Sequence, residues 1–128
     1  MAWNETKLTV LGRVCTDIST RTTADGSAMA YFSVVSNERR YDQNTGTWSN
    51  GSSLFIKVKC FRKLAEGVAA SLHKGDPVVV TGRAYTTKYE VDGQNRSDLE
   101  VEATGIGPDL MLCRAVVQRD QPAEAIAA

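Results

Sequence analysis

Leu54 to Pro77, LFIKVKCFRKLAEGVAASLHKGDP, decides the fold class of this chain. The first eight residues alternate, so a strand puts Ile56, Val58 and Cys60 on one face and Phe55, Lys57, Lys59 and Phe61 on the other. From Arg62 the period lengthens. Leu64, Val68 and Leu72 recur every four residues with Ala65 and Ala69 beside them, which is one apolar helix stripe over Arg62–Lys74. Gly75, a natural C-terminal cap, and then Pro77 close it. His73, the single histidine, falls in the last turn, where its charged form suits the helix dipole. A new strand begins at Pro77.

Upstream, Lys7–Val14 alternates with Leu8, Val10 and Val14 inward. Gly12 shares that face, where a curling sheet bends or admits another backbone closely. An Asp25-Gly26 turn leads to a second strand, Met29–Ser36, with Phe32 and Val34 inward and Tyr31 opposite as a structural ring at the sheet rim. Asn37–Ser53 is polar and turn-rich, too long for a tight hairpin, and reads as a flexible arm before the third strand. Downstream of the helix, the fourth strand carries Arg83, Tyr85, Thr87 and Tyr89 on one face and turns at Asp92-Gly93. The fifth, Arg96–Ala103, alternates Leu99, Val101 and Ala103 with Asp98, Glu100 and Glu102. Five strands with one helix between the third and fourth describe an all-β, five-stranded OB-fold barrel with extended hairpin arms. Residues 1–110 make the domain, 111–117 a further short strand or an oligomer contact, and 118–128 a short disordered tail.

The outer face of Leu54–Phe61 reads aromatic, basic, basic, aromatic. Rings interleaved with cations suit flat bases strung on a phosphate chain, which is single-stranded nucleic acid. A strand packed on both faces, with Phe55 and Phe61 as core and the lysines at the edge, fits the octapeptide equally well. The arm adds Arg39, Arg40, Tyr41 and Trp48, two guanidiniums and two rings suited to gripping a backbone and stacking on a base; Trp48 folded back on the body is the competing reading. The expected stacking platform is Phe55, Phe61 and Tyr89, extended by Tyr41, Tyr85 and Trp48. Arg39, Arg40, Lys57, Lys59, Arg62, Lys63, Arg83 and Lys88 are the expected phosphate contacts. About six such contacts per protomer would give a salt slope of roughly −4.

Fifteen basic and fifteen acidic residues cancel. Residues 1–64 nevertheless hold nine Lys and Arg against five Asp and Glu, and residues 65–128 hold six against ten, so a segregated field could present one basic side. Glu100 and Glu102 lack the metal ligands, nucleophile or phosphate-cradling glycine loop that an enzyme needs, and read as a solvated acidic face that keeps DNA off its side. No catalytic residue, cofactor or metal site is expected. Cys15, Cys60 and Cys113 have no metal-ligand spacing and read as small core residues; meeting a symmetry copy in an oligomer is disfavoured in a reducing compartment. No membrane-length apolar run or secretory leader is apparent, so a cytoplasmic, nucleoid-associated location is expected.

The ordered set VLGRV, DQNTG, LFIKVKCF running into RKLAEGVAASLHKGDPVVVTGR, and YTTKYEVDGQNR resembles the bacterial single-stranded DNA-binding proteins over roughly the first 110 residues. The resemblance implies a homotetramer of OB-folds that wraps single strands without strong sequence choice, in replication, recombination or repair. It places Phe55, Phe61 and Tyr89 at three of the family's stacking positions; the fourth, commonly a Trp on the arm, is Arg40 here. Principal members carry a Gly/Pro/Gln-rich linker and an acidic tip that recruits replication and repair enzymes. The chain stops at Ala128 without either, so it resembles the shorter paralogue of some high-GC bacteria, and recruitment through a tip is not expected. The rival from another class is an OB-fold assembly module whose aromatic face is a subunit interface.

Overall fold

Four strands of fifteen residues each make up most of the architecture: β3 (Ala28–Asp42), β4 (Thr47–Phe61), β5 (Pro77–Val91) and β6 (Gln94–Pro108). The computed structural model describes residues 3–120, which also include β1 (Thr6–Val14), the short β2 (Ser19–Thr22) and one helix, α1 (Arg62–Ser71). The hydrogen-bonded order is β1-β5-β6-β4-β3-β2, and β1 also pairs with β3, which closes five strands into a barrel with β2 outside the ring. All pairs are antiparallel except β4 with β6, the one parallel contact, as a five-stranded OB barrel requires.

The inward residues follow the alternation of the sequence. Val10 and Val14, Phe32 and Val34, Ile56, Val58 and Cys60, Val78 and Val80, and Val101 and Ala103 make the core. The stripe of α1 covers one end of it with Ala65, Val68 and Leu72. Gly12 is where β1 passes from β5 to β3, and a Cβ there would run into the backbone carbonyl of Val35. Gly82, opposite a bulge at Thr104 of β6, meets the carbonyl of Glu102 in the same way. Only glycine lets the barrel close at these two crossings.

Several expectations need correction. Asn37–Ser53 is no loose loop: β3 and β4 stay paired to Asp42 and Thr47, with one register slip between Asn37 and Arg39. A polar sequence carries no burial signal, yet the backbone ladder continues without one. The helix ends at Ser71, and the Leu72 N–H closes its last turn on the Val68 carbonyl. His73 therefore lies beyond the helix, with its backbone N–H on the Asp76 carboxylate, and cannot serve the dipole. Gly75 is left-handed (φ 99°) but serves the loop, its N–H bonding the Val14 carbonyl. Leu110–Val117 forms no strand; its first residues turn back, with the Leu112 N–H on the Asp109 carbonyl. Of the cysteines, only Cys60 is buried, where desolvation pushes its thiol up to about 11; Cys15 and Cys113 are half-exposed. Residues 121–128 of the expected tail lie outside the described residues.

Candidate nucleic-acid interface

Alternation along β4 gives it two unlike faces. Ile56 is 2% exposed in the core, whereas its neighbour Phe55 is 67% exposed. The packed-on-both-faces reading is thereby set aside for Phe55, while Phe61, at the junction with α1, is half-buried. β6 flanks β4 on one side, in the register Lys57↔Glu100 and Lys59↔Glu102, and β3 flanks it on the other, with Ser33↔Lys57 and Tyr31↔Lys59. β5 lies one strand further, beyond β6. The outer sheet surface thus runs from the β5 tyrosines over β6 to the Phe and Lys row of β4.

Side chains knit these rows together. Lys57 Nζ lies 5.6 Å from the Tyr89 ring centroid, and Lys59 Nζ lies 5.3 Å from that of Tyr85. Arg83 approaches Tyr85 more closely, its Cζ 4.5 Å from the centroid. Ring faces are electron-rich, so each contact holds a cation beside an aromatic surface. Tyr89 remains 39% exposed and its hydroxyl donates to Asp98 at 3.4 Å.

The same contacts overturn two electrostatic expectations. Basic and acidic halves of the chain do not become two sides of the molecule, because β4 from the first half pairs directly with β6 from the second. Nor do the β6 carboxylates form a separate acidic face. Lys57 Nζ pairs with Asp98 Oδ2 at 2.7 Å, and Arg83 Nη2 with Glu102 Oε1 at 3.4 Å. The ammonium of Lys57 holds the Asp98 carboxyl below the usual carboxylate range, and Asp98 in turn raises the pKa of Lys57. The Tyr85 phenol, with Glu100 and Glu102 adding, raises that of Lys59. Three of the expected phosphate contacts therefore already have anionic or aromatic neighbours. Lys63 and Lys88 make no ion pair or hydrogen bond among the described residues, and Arg62 is exposed in a left-handed backbone conformation (φ 60°) at the start of α1.

The arm keeps its contacts to itself. Tyr41 and Trp48 face each other across the strand pair with ring centroids 5.2 Å apart, so Trp48 neither folds onto the body nor stands free. Past the register slip, Glu38 and Arg40 lie over Gly51, and Arg40 pairs with Glu38 at 3.2 Å. Arg39 instead donates to Asn50 Oδ1 at 2.7 Å. The two arginines, adjacent in sequence, thus point to opposite faces of the arm.

One feature escaped the sequence reading. A groove of about 580 Å³ lies beside β4, lined by Asp17, Ser19, Arg21, Tyr31, Lys57 and Lys59 among others. Arg21, from β2, stacks 5.5 Å from the Tyr31 centroid and is the main cause of that phenol's lowered pKa. β2 is four polar residues without a period to read, so nothing in the sequence joined Arg21 to Tyr31.

A family model described as the single-strand binding protein family matches residues 5–108, the barrel with both hairpins. The chain belongs to this family. A single-stranded DNA-binding protein of Corynebacterium glutamicum is 42% identical over 93% of the chain, which spans 53% of that relative's length. One from Paenarthrobacter nicotinovorans is 40% identical over 91% of the chain and 69% of the relative. Among solved structures, the small single-stranded DNA-binding protein of Streptomyces coelicolor superposes with a TM-score of 0.79 at 33% identity, covering 86% of this chain and 99% of that one. The second such protein of Mycobacterium smegmatis gives a TM-score of 0.72 at 40% identity, over 90% of this chain and 99% of that one. These likenesses bear out both the OB-fold and the resemblance to shorter relatives from high-GC bacteria. No helix among the described residues is long and apolar enough to cross a membrane.

Proposed function

We propose that this chain binds single-stranded DNA with little sequence preference, protecting exposed strands of the nucleoid during replication, recombination or repair. One observation carries the reading: Phe55 stands out from the barrel on the same face as Lys57 while Ile56, Val58 and Cys60 of the same strand fill the core. A large exposed ring on a closed barrel has no use in holding the fold, and every base offers a face on which it can stack whatever the sequence. Phe61, Tyr85 and Tyr89 extend the surface on either side of it, and Arg62 and Lys63 supply charge at its margin. The arm, with Arg39, Arg40, Tyr41 and Trp48, projects beyond the barrel as a paired finger against which a strand can lie.

The test is a titration with oligo-dT at several salt concentrations, followed by tryptophan and tyrosine fluorescence, against a duplex of equal length. Strand-selective, salt-sensitive binding is expected. The double variant Phe55→Ala/Phe61→Ala should lose on the order of 2 to 6 kcal/mol, at about 1 to 3 per ring. Unchanged affinity in a folded double variant discards the assignment.

The chain acts as a homotetramer in this reading. Trp3, Leu11, Leu110, Met111, Leu112 and Val116 are all exposed in the single protomer, more apolar surface than a monomer usually leaves to water. Light scattering should return four times the protomer mass of 13.9 kDa. A monomer at micromolar concentration would refute it.

A further inference from the structure

The aromatic rows of the outer surface are separated by β6, and the successive outward positions of β6 between them are Asp98, Glu100 and Glu102. A strand that runs along this face over the Lys57 and Lys59 row and the Tyr85 row passes these carboxylates, since Tyr85 and Lys57 both pair with Glu100. The direct crossing from Phe55 to Tyr89 passes Asp98 and the Arg96 that pairs with Tyr89. Against them stand Lys57, Lys59 and Arg83, with Arg96 next in the same β6 row opposite Tyr89, so three carboxylates offset most of the charge of four cations. Two of the cations are held in ion pairs at 2.7 and 3.4 Å, and Glu100 sits opposite Lys57 in the β4–β6 register.

Fold stability does not account for the stripe. These pairs lie at the protein surface, where an ion pair contributes little and is screened by salt. Their effect on a polyanion is larger. A phosphate that approaches Lys57 must replace Asp98, and the displaced carboxylate then remains beside the phosphate as a like charge. Net counterion release is reduced, because the carboxylate freed when its cation moves to a phosphate stays beside the strand and draws solution cations back to it.

We infer that Asp98, Glu100 and Glu102 form a built-in brake on strand binding: they occupy the central cations in place of phosphate, lowering affinity and flattening its salt dependence. This rests on the proposal that the face binds single-stranded DNA. The strand is then held over the centre by stacking, and its phosphates take their charge contacts at the margin. A protein so arranged releases strands more readily than the number of its cations suggests.

The experiment compares two double variants of the full chain that change net charge equally. Asp98→Asn/Glu102→Gln removes the two paired carboxylates of the stripe. Asp76→Asn/Asp109→Asn removes two carboxylates at the far end of β5 and β6, each seven residues along the chain from Arg83 or Glu102. Affinity for oligo-dT is measured from low to high salt. The stripe variant should bind roughly tenfold more tightly at about 0.1 M salt, with a slope steeper by about 1.4, the value for two additional neutralised phosphates on a single strand. The control variant should change affinity by less than about threefold, since charges beyond a Debye length are screened. Equal behaviour of the two variants overturns the brake while leaving the binding proposal intact. A wild-type chain that binds no oligo-dT overturns both. Thermal melting checks the fold of each variant, and if a double variant is unstable, Asp98→Asn and Glu102→Gln singly should each give about half the change in slope.

Discussion

The two long hairpins of this barrel have the same strand length but distribute their charges differently. The β3–β4 arm is self-contained past its register slip: Tyr41 packs on Trp48, Arg40 pairs with Glu38 and Arg39 with Asn50. The β5–β6 hairpin, turned at Asp92-Gly93, leans on the barrel wall, giving Tyr89 and Asp98 to Lys57 of β4. Changes in the arm should therefore stay local, whereas changes in β5–β6 should reach the binding face. An extension from a barrel keeps its independence only where its polar groups find partners within it.

The strongest way to break this contrast is at the glycines. Gly82→Ala forces a methyl into the Glu102 backbone, which cannot move without displacing β6, and should cost about 1 to 3 kcal/mol in urea unfolding. Gly51→Ala in the arm meets the side chains of Glu38 and Arg40 and should cost under about 1 kcal/mol, because long exposed side chains swing aside. Equal losses would mean that the arm is as tightly built into the barrel as β5–β6.

A double-mutant cycle on Tyr41→Ala and Trp48→Ala asks next whether the arm holds itself together. A coupling of about 0.5 to 1.5 kcal/mol is expected for an aromatic pair at this distance, and zero coupling would leave the arm without a stabilising contact of its own. Smaller still is the effect of the Lys57–Asp98 link. Asp98, its pKa depressed by Lys57, contributes stability above the ordinary carboxylate range and loses it as pH falls through its lowered folded value. In Lys57→Met the NMR titration midpoint of Asp98 should move up toward 3.9, the value for a free aspartate. No movement would mean that the pair seen here does not persist in solution. Asp25, which has no contact with Lys57, is the control. Thr23 and Ser27 hold it near pKa about 2 in the β2–β3 turn, and that value should be indifferent to Lys57.

Much of the barrel could be read from residue order, because a face against the core imposes period two. Ile56, Val58 and Cys60 against Phe55, Lys57 and Lys59 is the plainest instance, and Leu99, Val101 and Ala103 against three carboxylates is the next. Where burial imposes nothing, the reading failed. Asn37–Ser53 is polar on both faces and reads as an arm too flexible to stay paired, and Leu110–Val117 is largely apolar and reads as a short strand or an oligomer contact, of which the strand is not formed. The first is held by ladder hydrogen bonds, which leave no trace in side-chain type; the second turns back at once, with the Leu112 N–H on the Asp109 carbonyl.

The site divides along the same line. That Phe55, Lys57, Lys59 and Phe61 share a face follows from the sequence alone, since successive side chains on a strand must alternate. That Asp98, Glu100 and Glu102 share it too was decided only when β6 paired in parallel with β4, more than forty residues away along the chain. Local geometry fixes which residues of one strand look outward. Which charges then become neighbours is set by barrel closure, a long-range event that neither composition nor the charge balance of the two halves contains.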